Sequence, residues 1–182
     1  MRFLKAHISP GRAILPVCIC LFTGIHHLSA QVKSSNNYLD AGIYKELDYR
    51  KSYLMTVTAG REYEVRWHFR LGGEFNVYRF LNADYSAIGL GIRPVVRQSF
   101  FQREGFALFA EVKGGIIYML PDRANTALNY TFVGGIGSDI SIAGKRRLRI
   151  GAGYSHFSNG RYRSKIENPS WDGIGGYAGW LF

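Results

Sequence analysis

His156 and Ser158 stand with a single residue between them. On an extended strand, residues i and i+2 project from the same face. Serine is a poor nucleophile until a neighbouring imidazole takes its proton, so the pair has the makings of a nucleophile and its base for acyl transfer. The same two side chains would equally serve as interfacial hydrogen-bonding groups with no chemistry. Short polar pairs are common, and the spacing by itself decides nothing. The elements that carry the pair must decide.

Other chemistries are short of residues. Both cysteines, Cys18 and Cys20, and three of the five histidines, His7, His26 and His27, lie in the first thirty residues. That segment has a basic start (Arg2, Lys5, Arg12), an apolar stretch from Ala13 to Ile25, and Leu28-Ser29-Ala30 before Gln31. This is the pattern of a cleaved secretory signal. Residues 1–30 are therefore expected to be a signal peptide and 31–182 a single domain. The latter would have no disulfide, no thiolate metal site, and only His68 and His156 as imidazoles. It keeps 20 basic and 13 acidic residues, a net charge of +7. An exported chain meets anionic lipid rather than nucleic acid, so the membrane surface is the expected partner of that charge.

Alternation of period two dominates from there on, in segments of ten to fifteen residues. Between Val65 and Phe80, the residues Val65, Trp67, Phe69, Leu71, Phe75 and Val77 share one face; Arg66, His68, Arg70, Glu74 and Asn76 share the other. Ile88, Leu90, Ile92 and Val96 oppose Gly89, Gly91, Arg93 and Arg97. The segments from Phe106 to Tyr118, Leu128 to Ile142 and Leu148 to Tyr154 repeat the pattern, a last strand ends at Trp180 and Phe182, and two weaker ones lie near Tyr38–Tyr44 and Ser52–Gly60.

A soluble β-sandwich also alternates, but its strands usually run about 5–6 residues. These are long enough for the tilted crossing of a membrane, which takes about 9–11. The second face is small or charged with both signs, which suits the lumen of a narrow barrel. There Glu74, Glu111 and Asp139 are expected to pair with Arg66, Arg93, Lys113 and Arg149, and Arg147 to join them. Closure leaves no unpaired backbone in lipid. The expected fold is all-β: an eight-stranded antiparallel transmembrane barrel in the outer membrane. Gly134-Gly135-Ile136-Gly137 reads as small residues packed in a narrow barrel, since no helix follows to make a phosphate cradle.

With both termini in the periplasm, Gln102–Gly105 and Ala143-Gly144-Lys145 become short periplasmic connections, and the longer Asn159–Trp171 connection lies outside the cell. His156 and Ser158 continue the apolar face of Leu148, Ile150, Ala152 and Tyr154, so they project toward lipid. Eight residues from Leu148 to His156 span about 26 Å at ~3.3 Å each. At the usual barrel tilt this is roughly 20 Å of the ~25 Å apolar band. The pair is expected at the outer-leaflet boundary, level with the ester bonds of an outer-leaflet lipid. His68 is expected inside the barrel near the periplasmic end, far from His156.

His156-Phe157-Ser158-Asn159-Gly160, followed by Asn168-Pro169 and Asp172-Gly173-Ile174, resembles the PagL family of lipid A 3-O-deacylases, or acyloxyacyl hydrolase-like proteins. The likeness covers Gly151–Phe182 and is looser upstream. It implies an esterase of the outer membrane that releases the 3-hydroxyacyl chain ester-linked to lipid A of lipopolysaccharide, with no metal or cofactor. Ser158 would be the nucleophile and His156 the base. Asn159 and backbone N–H groups near Gly160 would hold the oxyanion, and Asn159-Gly160 would also suit a plain turn. The family pattern places a histidine-orienting glutamate after Asp-Gly-Ile, where this chain has Gly175; Glu167 or Asp172 would have to take its place. Arg161, Arg163 and Lys165 would contact the lipid A phosphates or form an ordinary charged loop. The alternative function is a non-catalytic structural or adhesive barrel; a palmitoyl-transferring barrel suits a lipid-facing pair less well.

Overall fold

The computed structural model describes residues 32–48, 52–81, 86–123, 126–144, 146–159 and 170–182. The expected signal peptide lies outside them. Alternating residues fold into eight strands: β1 (Ser34–Glu46), β2 (Tyr53–Arg66), β3 (Phe69–Leu81), β4 (Ser86–Arg103), β5 (Phe106–Arg123), β6 (Thr126–Ala143), β7 (Arg146–Ser158) and β8 (Trp171–Leu181). Each pairs antiparallel with the next, and β8 returns to β1, with Tyr38 opposite Leu181 and Glu46 opposite Gly173. The sheet closes, so it has no edge.

Burial is inverted relative to a soluble protein. Ile92, Ile136 and Ile174 are 57%, 63% and 55% exposed, while Arg70, Arg97 and Arg149 are at most 1% exposed. In water such a surface would aggregate; in hydrocarbon it is the solvated face. The two faces expected from alternation are thus the outer wall and the filled lumen.

One strand expected from the pattern is in fact two. The run from Val65 to Phe80 is broken by a turn at Trp67 and His68, both in the left-handed region at φ 49° and 61°. A two-residue turn alone would invert the odd–even phase, because its flanking partners Arg66 and Phe69 share a face; the bulge at Val65, between the pairs Arg66–Phe69 and Glu64–Arg70, inverts it back, so the alternation runs through undisturbed. Neither turn residue is the glycine or asparagine that favours this conformation. The consequence corrects three assignments. β2 extends beyond Gly60 to Arg66. Arg66 is outside the lumen, its guanidinium 4.2 Å over the Trp67 ring. His68 sits half-exposed at the hairpin, 3.3 Å from Glu64, rather than pointing inward. Gly105 and Gly144 supply the positive φ at the two connections on the same end of the barrel.

The lumen holds two layers. Toward the end carrying the termini, Glu62 accepts from Arg70 at 3.2 Å, from Arg149 at 2.9 Å, and from Arg97. Asp139 joins Arg70 and Arg149 at 2.8 and 2.7 Å, and Glu111 accepts from Arg97 at 2.7 Å. Lys113 bridges Glu111 and Glu74, and Arg93 Nε donates to Glu74 at 2.6 Å. Arg93, Lys113 and Arg149 therefore pair as expected. Glu62 lies beyond Gly60, where the alternation ends the weaker strand, so the pattern does not mark it as a partner. Arg147 lines the lumen mouth beside Gln102 and Ser141 and forms no ion pair among the described residues. Toward the other end, Tyr44, Leu54, Tyr78, Phe80, Ile117, Met119, Phe157 and Trp171 form a buried apolar cluster. Edge-to-face contacts hold it together, with Phe157 centred 5.3 Å from Tyr78, 5.2 Å from Phe80 and 5.8 Å from Trp171.

Candidate active site

The aromatic cluster fixes the stretch of wall on which the polar residues sit. Phe157 and Trp171 are cross-strand partners with side chains inside the barrel, and the Trp171 indole donates to Ser52 Oγ at 2.9 Å. Their chain neighbours necessarily point outward. On β7 these are His156 and Ser158, as the alternation required; on β8 the neighbour is Asp172, directly opposite His156. His156 Nδ1 and Asp172 Oδ1 are 2.7 Å apart, with the two side chains 32% and 23% exposed. A carboxylate only accepts, so Nδ1 carries the proton and Nε2 is left as the basic nitrogen. The Tyr154 hydroxyl donates to the same carboxylate oxygen.

Ser158 lies two residues beyond His156, about 7 Å along the strand. On the other side of β7, β6 places Tyr130 opposite Ser158 and Phe132 opposite His156. A half-buried polar constellation thus sits in an apolar, aromatic surround on the outer wall, close to the end remote from the termini. Removing water strengthens its internal hydrogen bonds.

Gly175 proves to be on the wrong face for an orienting acid in this chain. It pairs with Gly153 and Tyr44, and a Cβ there would come within 2.1 Å of the Ile43 carbonyl oxygen. No carboxylate fits. Asp172, one of the two substitutes considered from the sequence, is the residue that register brings to the imidazole. Glu167, Gly160, Arg161, Arg163 and Lys165 lie outside the described residues. Asn159 is described, just past the end of β7, and is buried. Among the described residues no group of three His, Cys, Asp or Glu side chains could hold a metal ion. Tyr154 escaped sequence reasoning because a tyrosine on an apolar face reads as part of the membrane belt.

Apolar exterior, ionic lumen and closed antiparallel order define an outer-membrane β-barrel, here with a carboxylate–imidazole pair and a serine on its outer wall. The family described as lipid A 3-O-deacylase (PagL) matches residues 48–180. This chain belongs to that family. Among solved structures, the outer membrane enzyme PagL superposes with a TM-score of 0.58 at 14% identity, over 78% of this chain and 97% of that one. Neisserial surface protein A aligns at 10% identity, covering 79% and 94%, with a TM-score of 0.47. Ail of Yersinia pestis aligns at 13% identity, covering 80% and 99%, with a TM-score of 0.38. No curated relative matches the sequence.

Proposed function

We propose that this chain hydrolyses the ester that links a 3-hydroxyacyl chain to position 3 of lipid A, using Ser158, His156 and Asp172. The observation that carries this reading is the 2.7 Å contact between His156 Nδ1 and Asp172 on the lipid-facing wall, with Ser158, the only serine on the outward face of β7, two residues from His156. With the termini in the periplasm, the site stands level with the sugar–acyl junction of the outer leaflet.

The chemistry follows from that arrangement. Ser158 Oγ attacks the ester carbonyl carbon while His156 Nε2 takes its proton, and Asp172 supports the imidazolium that forms. Asn159 and backbone N–H groups near Gly160 stabilise the oxyanion. The intermediate collapses, the bond to the sugar oxygen breaks, and His156 returns its proton to that oxygen. Water, activated by the same imidazole, then attacks the acyl-serine and releases the 3-hydroxy fatty acid. No step calls for a metal or cofactor. Arg161, Arg163 and Lys165 are assigned to the phosphates, for which arginine's planar fork is suited.

Mass spectrometry of lipid A from cells expressing the wild type or Ser158→Ala tests the proposal. Loss of one hydroxyacyl chain with the wild type alone is the expected result. Unchanged lipid A with both, at equal levels of folded barrel, would favour the structural or adhesive alternative. Gly175, where the family pattern has a glutamate, favours that alternative; the carboxylate of Asp172 beside the imidazole supports the deacylase reading.

A further inference from the structure

Three outward side chains follow one another on β7 at positions 154, 156 and 158, and only the last two have a part in the reaction described above. Tyr154 pairs across the sheet with Ile174, not with Asp172. Its ring nonetheless reaches diagonally along the wall, a span that aromatic side chains can bridge. Its hydroxyl donates to Asp172 Oδ1, the oxygen that also accepts from His156 Nδ1. One carboxylate oxygen is therefore held from two sides by residues two apart on a single strand.

We propose that Tyr154 is a positioning residue that holds the Asp172 carboxylate in the plane of the imidazole. Asp172 is rooted on a strand different from that of His156 and is partly exposed. Ser170 also hydrogen-bonds this carboxylate from its own end of the chain; Tyr154 adds a donor from β7, and without it the carboxylate is less fixed about its terminal bond and the imidazole is less firmly held with the proton on Nδ1. An unpaired hydroxyl facing hydrocarbon is also costly, which favours the closed arrangement. A tyrosine serving only as a membrane-interface anchor would have no need to aim its hydroxyl at this carboxylate rather than at headgroups.

The inference rests on the proposed deacylase reading, so its test includes a readout that needs no turnover. In the full barrel in detergent micelles, labelled with ¹⁵N-histidine, His156 should show the Nδ1–H tautomer in the wild type and a mixture of tautomers in Tyr154→Phe. In assays on lipid A, Tyr154→Phe should lower kcat roughly tenfold with little change in KM, as expected for one hydrogen bond to a charged group. In an Asp172→Ala background the same substitution should change nothing further, because a residue that acts only through Asp172 has no effect once it is gone. An unaltered tautomer spectrum, or a loss that multiplies with Asp172→Ala, would overturn the proposal. Absence of Ser158-dependent hydrolysis in the wild type would instead count against the deacylase reading, and the spectrum alone would then decide the role of Tyr154.

Discussion

At the scale of single residues, the carboxylate beside His156 stands at a position different from the one the family pattern gives. The sequence supplied two candidate carboxylates, Glu167 and Asp172, and a glycine where the family pattern has its acid. Choosing between them requires the β7–β8 register, which depends on the long connection between the strands and not on periodicity. Register puts Asp172 opposite His156 and Gly175 opposite Gly153. Asp172→Asn should therefore lower kcat by about 10²–10⁴-fold, the range seen when an orienting carboxylate is lost, in an assay of fatty acid release. Adding Gly175→Glu to Asp172→Ala should not restore activity. The new side chain would clash with the Ile43 carbonyl, and the double variant should show a lower thermal midpoint by circular dichroism. Recovery of turnover there would refute the placement of the acid. The outward placement of His156 and Ser158, by contrast, was legible from the parity of a strand.

At the scale of the element, β7 and β8 work as a two-sided device. Their inner residues, Phe157 and Trp171, lock into the aromatic cluster, and their outer residues His156 and Asp172 form the carboxylate–imidazole pair. Truncating a fully buried phenylalanine costs about 3–5 kcal/mol. Phe157→Ala should lower thermal stability by an amount of that order, and should also depress hydrolysis although it touches no polar group of the site. A variant with reduced stability and full specific activity would show that the cluster does not position the pair. Parity was enough to predict this inside–outside division. It failed at Trp67-His68, where a two-residue turn combined with a bulge at Val65 kept the phase, and the turn used neither of the residues that announce such turns. A strand ended at Gly60 leaves out Glu62, the acid that three guanidinium groups share.

At the scale of the whole molecule, the lumen is a solid ionic and aromatic interior in a fold whose exterior is lipid. Glu62 accepts from Arg70, Arg97 and Arg149 at once. Removing one partner of a buried ion pair costs about 3–5 kcal/mol, because the remaining charge has nowhere to go. Glu62→Ala leaves three guanidinium groups facing one another and should destabilise the barrel by at least that order, with Glu62→Gln less severe. The deficit should be insensitive to added salt, since buried pairs are poorly screened; thermal unfolding at two ionic strengths measures it. That a charged lumen would exist was legible from the alternating faces, whereas the identity of each pair was not, because partners such as Glu62 and Arg149 stand 87 positions apart.

Among the described residues, rings and ion pairs fill the barrel and leave no conduit, so planar bilayers containing it should conduct no more than bare lipid. Whatever the outer wall releases must then depart sideways. The freed fatty acid and the trimmed glycolipid are both amphiphiles that stay within the leaflet from which they came. Turnover in a living envelope would therefore be governed by how quickly neighbours trade places in that crowded, slow-moving layer. In fluid detergent micelles the same protein should run faster than in stiff bilayers rich in its own substrate.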